Sequence, residues 1–134
     1  MKNYCLILFS FLLFVACDNV TFSPIVGKWQ LKTIEKNGDI TPVDTVWYNF
    51  QSISLFSIQI YVSQQDTFIQ FFGVRIEEEK ELSIRMFCNT EEFIEMISLS
   101  DWTNRNRSFT IVHLNRRRLL LQSEEGHVYS FNKF

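Results

Sequence analysis

The side chains of this 134-residue chain that could do chemistry are few and scattered. His113 and His127 are its two histidines, and they can approach each other only if their strands are neighbours. Neither has a carboxylate or thiolate at ligand spacing, so the sequence points to no metal and no cofactor. Cys88 stands in an apolar stretch with no histidine near it, the setting of a packed thiol rather than a nucleophile. No Ser-His-Asp, Cys-His or paired-carboxylate spacing stands out. The expectation is therefore no catalytic residues and no enzyme. Arg116-Arg117-Arg118 lies between two apolar strands, as a solvated hairpin tip or a contact for an anionic lipid or glycan. Glu77 to Glu81 is read in the same way, as a solvated hairpin tip. The 13 Lys+Arg against 15 Asp+Glu give a net charge of −2, with no basic excess to grip a nucleic acid. Four glycines and two prolines are too few for a phosphate-cradling loop.

Cys17 has a different chemistry. Lys2 precedes an apolar run from Tyr4 to Ala16 broken only by Ser10. That run is shorter than the roughly 20 residues a membrane-spanning helix needs. A charged start, a short apolar run and a small residue before a break is the pattern of a signal peptide, here residues 1–16. Phe14-Val15-Ala16-Cys17 resembles the lipobox of bacterial lipoproteins, with Phe14 where that family prefers Leu. The resemblance implies that Cys17 carries lipid through a thioether and becomes the mature N-terminus. Two or three acyl chains anchor a protein stably where one does not. The expected address is the bacterial outer membrane, on its periplasmic or cell-surface face. With Cys5 removed and Cys17 modified, Cys88 has no disulfide partner. Residues 17–24 then form a lipidated tether and residues 25–134 one folded domain.

The elements of that domain follow from the period of the apolar residues. Lys28, Gln30 and Lys32 alternate with Trp29, Leu31 and Thr33, the mark of a half-buried first strand. Asn37-Gly38-Asp39 is a turn. Val46, Tyr48 and Phe50 alternate with Trp47, Asn49 and Gln51. Phe56, Ile58, Ile60 and Val62 alternate with polar residues, while Ile53 and Leu55 fall on the opposite parity, predicting a bulge or bend between Ser54 and Phe56. Thr67 to Ile76 is a strand with apolar residues on both faces. Leu82, Ile84 and Met86 mark the next. Asn89 to Trp102 breaks the period of two, and Asn89 with Glu92 fits a capping box for a short helix at about 90–98. Phe109 with Ile111, Leu119 with Leu121, and Tyr129 with Phe131 mark three further strands. Eight antiparallel strands in chain order predict an all-β up-and-down barrel, with an open β-sandwich as the alternative.

The residues also resemble a family. Gly27-Lys28-Trp29 is similar to the G-x-W of the first lipocalin strand, where the Trp plugs one end of the barrel. Trp47-Tyr48-Asn49-Phe50-Gln51, the Phe109 to Asn115 stretch, Leu119-x-Leu121 and Tyr129-x-Phe131-x-Lys133-Phe134 resemble the small lipocalin-like lipoproteins of Bacteroidetes. The resemblance implies an envelope-anchored barrel, without an assigned ligand or catalytic residues. Asp44-Thr45-Val46 fits the acceptor pattern for O-glycosylation in that group, which makes Thr45 a candidate glycan site.

An eight-stranded barrel is either filled by its own side chains or holds one small ligand. Trp29, Tyr48, Phe50, Phe56, Ile58, Phe68 and Tyr129 are the residues expected to fill the interior or to line an apolar pocket for a small hydrophobic molecule. The alternative is a filled barrel that meets another envelope or host protein through its outer face. Trp47 and Tyr61, on the polar parity of their strands, are the residues to examine for such a face.

Overall fold

A computed structural model describes residues 23–134 of the chain. The signal sequence, Cys17 and the tether as far as Phe22 lie outside the described residues. Nine strands and a helix follow in order: β1 (Gly27–Lys36), β2 (Asp39–Pro42), β3 (Val46–Phe50), β4 (Leu55–Val62), β5 (Thr67–Glu78), β6 (Glu81–Met86), α1 (Thr90–Leu99), β7 (Asn106–Leu114), β8 (Arg118–Ser123) and β9 (Val128–Lys133).

Period-two burial builds the strands. In β6, Leu82, Ile84 and Met86 are buried while Glu81, Ser83 and Arg85 are exposed. All pairings are antiparallel, and β3 to β9 lie side by side in chain order. Strand β1 closes the sheet by pairing Gly27–Gln30 with β3 and Trp29–Glu35 with β9. The fold is thus the closed eight-stranded barrel the sequence predicts, and closure excludes the sandwich. The β2 strand is additional. It folds back on Thr33–Lys36, and all four of its residues are exposed, so no alternation announced it.

Helix α1 forms where the capping box requires. The Asn89 side chain accepts the Glu92 backbone N–H at 2.9 Å, and the Glu92 carboxylate accepts the Asn89 N–H at 3.1 Å. The bulge or bend expected between Ser54 and Phe56 is a turn that ends just before Leu55. Residues 51–54 make a turn closed by Gln51 N–H donating to the Leu55 carbonyl at 3.0 Å. Ile53 takes a left-handed φ of 70° in it, and β4 then alternates from Leu55 without interruption. The parity change came from reading turn residues as strand.

Antiparallel order gives the barrel two distinct ends. The base gathers the start of β1, the β3–β4, β5–β6 and β7–β8 turns and the end of β9. The mouth gathers the β1–β2 flap, the β4–β5 turn, α1 with its flanks, and the β8–β9 turn. At the base, Trp29 is fully buried and donates its indole N–H to the Ile25 carbonyl at 2.8 Å. The Lys133 ammonium lies 4.5 Å from the Trp29 ring centre and donates to the Val26 carbonyl at 2.8 Å. Gly27 sits at φ 135°, and a Cβ there would fall 2.0 Å from Lys133 Nζ. The Gly27-x-Trp29 motif and the C-terminal lysine, far apart in sequence, therefore form one plug.

Glu77 corrects the reading of the acidic run. Its carboxylate accepts Ser23 Oγ at 2.8 Å and pairs with the buried Arg75 at 2.9 Å. Only Glu79 and Lys80 remain between the strands as a tip.

Candidate binding site at the barrel mouth

Inside the barrel, inward positions of successive strands place rings against rings. Tyr48 meets Phe131, Phe56 and Trp102 at centroid distances of 4.8, 5.4 and 6.2 Å, and Phe50 meets Phe56 at 5.2 Å. Offset and edge contacts of this kind stabilise a core beyond its area alone. Trp29, Tyr48, Phe50, Phe56, Ile58 and Tyr129 of the expected interior set are all at most 1% exposed. These six belong to one packed core. Phe68, the seventh, is 52% exposed and lies outside the barrel. It is paired with Tyr61 on the outer face, because inward positions of β5 carry Ile69, Phe71 and Gly73 instead. With apolar residues on both faces, β5 gave no parity signal.

The mouth is built differently. After α1 the chain dips inward at Trp102, whose indole N–H donates to the Tyr48 hydroxyl at 2.8 Å. Asp101, one residue earlier, takes the Arg107 guanidinium in two contacts of 3.3 and 3.0 Å. Arg107 lies over the rings of Tyr129, Phe109 and Trp102 at 4.7, 4.8 and 5.3 Å. The Tyr129 hydroxyl donates to Asp101 and accepts from Arg107, closing the set. Burial pushes the Asp101 carboxyl up, but hydrogen bonding and charge from Arg107 outweigh it, so the group is held below its ordinary value. Burial works against the charge on Arg107 as well, and the hydrogen bonds and charge of Asp101 offset it. The Tyr48 and Tyr129 hydroxyls are raised, mainly by burial. At neutral pH the site is an ion pair clasped by two neutral phenols.

Above this floor opens a cavity of about 290 Å³. Lys36 from β1, Asn104 and Asn106 before and on β7, and His127 before β9 form its walls. Cationic and amide donors thus face the same space as the Asp101 and Glu125 carboxylates. Such a mixture can orient a small molecule that itself carries donors and acceptors.

Sequence reasoning placed Tyr129 here only as a ring. It missed Asp101 and Arg107, which flank a stretch without strand periodicity. A lone tryptophan among Ser, Asp, Thr and Asn at residues 100–104 was the available signal, since Trp102 needs a core to enter. The other candidate groups stay apart. His113 is exposed, 3.1 Å from the Asn115 side chain near the base, and β8 separates its strand from that of His127. Burial, with Glu92 nearby, raises the Cys88 thiol, which lies 3.9 Å from the Met96 sulfur. Thr45 is half-buried just before β3, where its carbonyl accepts the Tyr61 N–H at 2.8 Å. Trp47 lies on the outer face, covered by Phe68 and Phe134 at 5.6 and 5.9 Å.

A closed eight-stranded barrel, plugged at one end and open at a polar mouth, is the architecture of small binding barrels. The chain belongs to the family of the lipocalin-like domain, whose model matches residues 12–134. It is similar to the crystal structure of a lipocalin-like protein from Bacteroides uniformis, at 27% identity and a TM-score of 0.75, over 84% of this chain and 100% of that one. An uncharacterized protein from Bacteroides eggerthii shares the fold at 24% identity and a TM-score of 0.67, over 81% and 98% of the two chains. No curated protein matches the chain.

Proposed function

We propose that this lipocalin-like barrel is an exported lipoprotein, anchored through Cys17, that binds a small polar molecule at its mouth without catalysing a reaction on it. The observation that carries the reading is the contrast between the two spaces. The interior positions are occupied by rings in mutual contact, whereas the mouth holds about 290 Å³ over a fixed Asp101–Arg107–Tyr129 floor. The small hydrophobic ligand expected from composition gives way to a polar one, because the open walls carry Lys36, Asn104, Asn106 and His127.

Native mass spectrometry of the protein taken gently from its own envelope tests this. A reproducible added mass of a few hundred daltons, lost on His127→Ala together with Lys36→Ala, is the expected result. An empty domain that travels with a second polypeptide would overturn it and move the function to the outer face, where Phe68, Phe72 and Phe87 stand exposed. The same intact mass reads the acyl group on Cys17 and any glycan on Thr45.

A further inference from the structure

The chain enters the barrel at the base, where three exposed arginines stand together among the described residues. Arg116 and Arg117 on the β7–β8 turn and Arg118 at the start of β8 are all exposed. Among the described residues, no carboxylate lies within 4.0 Å of any of the three, since the ion pairs there are Arg75–Glu77 and Arg107–Asp101. The turn is set directly beside the plug. The Arg117 carbonyl accepts the Lys133 N–H at 2.8 Å, and the Lys133 side chain reaches Val26. The mouth carries the opposite charge, with Glu91, Glu92 and Glu95 on α1 and Glu124 and Glu125 on the β8–β9 turn.

The base also presents apolar side chains to solvent. Ile53, at the tip of the β3–β4 turn, is 94% exposed. Its left-handed φ of 70° is unusual for a β-branched residue, so the turn holds it outward at a conformational cost. Phe134 is 69% exposed, with the Lys28 ammonium 4.8 Å from its ring centre. Cations and aromatics standing together are what a membrane interface accommodates. The β5–β6 tip at the same end bears Glu78, Glu79 and Glu81 beside Lys80. Around the barrel that tip lies across from the seam of β1 and β9, while the Ile53 and Arg116–Arg118 turns flank the seam.

We infer that the β1–β9 side of the base docks on an anionic lipid surface through Arg116–Arg118, Ile53 and Phe134, turning the mouth away from the membrane. The inference rests on the Cys17 anchor proposed above for its tether. The six positions from Cys17 to Phe22 let Ser23 stand at most about 20 Å from the lipidated residue. Ser23 lies four residues before β1 and donates to Glu77, next to the acidic β5–β6 tip, so the tether sets which end of the barrel faces the membrane and not which side of that end. A barrel on so short a leash must present its base, and attraction between basic side chains and anionic headgroups then selects the tilt that keeps the acidic tip away.

Fluorescent labels at Ile53→Cys and at Glu125→Cys test the orientation in the protein purified from its own membranes and reconstituted into phosphatidylglycerol–phosphatidylethanolamine vesicles. A headgroup-bound quencher is expected to dim the label at position 53 and spare the one at 125. Arg116→Gln, Arg117→Gln and Arg118→Gln together are expected to abolish the difference. The unacylated Asp18–Phe134 form, which keeps every strand of the barrel, is expected to bind phosphatidylglycerol vesicles at low salt and phosphatidylcholine vesicles not at all. Each Arg removed should weaken that binding about fivefold. Acylated protein with both labels equally quenched or equally spared overturns the docking and leaves the anchor. An intact mass without acyl chains, beside charge-dependent binding of the unacylated form, overturns the anchor and leaves the docking. Failure of the unacylated form to bind phosphatidylglycerol vesicles overturns the docking outright.

Discussion

The Trp102 indole N–H donates to the Tyr48 hydroxyl at 2.8 Å, joining the segment after α1 to a strand 54 residues earlier in the middle of the barrel. Both side chains are at most 1% exposed, so neither group has water as an alternative partner. This bond pins the only helix among the described residues to the core and so fixes Asp101, the neighbouring residue, at the mouth.

Tyr48→Phe keeps the ring and leaves the Trp102 N–H buried without an acceptor. The expected cost is about 1–3 kcal/mol. Urea unfolding of the variant against wild type checks it, and an unchanged midpoint would mean the indole finds another partner.

The Asp101 carboxyl is lowered in the folded protein, so the folded state binds fewer protons than the unfolded state as acid is added. Its contribution is present above the unfolded value of about 4 and is lost as pH falls through the folded one. Thermal melts between pH 7 and pH 2.5 are expected to show that loss. Asp101→Asn should flatten the acid limb, and it should cost about 3–5 kcal/mol at neutral pH by stranding Arg107.

Phe56 and Phe68 separate the inside of the barrel from the outside. Phe56→Ala is expected to cost about 3–5 kcal/mol, because it empties a fully buried site. Phe68→Ala removes a half-exposed ring that rests on Trp47 and Tyr61, and is expected to cost under about 1.5 kcal/mol. Similar midpoint shifts for the two would contradict the outward placement of Phe68.

Gly73 faces inward on β5 opposite Met86, and a Cβ there would stand 2.4 Å from the Arg85 carbonyl oxygen. That obstacle is backbone and cannot rotate away. Gly73→Ala should therefore force β5 and β6 apart, at about 1–3 kcal/mol or more. Hydrogen exchange should rise along the Gly73–Glu78 and Glu81–Met86 ladder and stay unchanged at β8–β9.

Much of the barrel was legible because strand periodicity is a local property. Leu82, Ile84 and Met86, or Tyr129 and Phe131, announce their inward face whatever the strands beside them do. The Asn89–Glu92 box did the same for α1. Ile53 misled for an equally local reason, since an apolar residue in a left-handed turn position resembles a strand residue slipped by one. The exposed β2 flap had no apolar face to declare it.

What the sequence by itself determined was the eight strands of the barrel wall, the helix and an aromatic core large enough to fill a barrel, because apolar alternation and capping act between residues close in the chain. Tertiary structure decided which face of β5 turns inward, since Phe68 and Phe71 are both aromatic and only register with β4 distinguishes them. It also decided the mouth. Asp101, Arg107 and Tyr129 come from a loop, from β7 and from β9, and the ion pair and the phenol meet only when the strands on either side of β8 curve around one space.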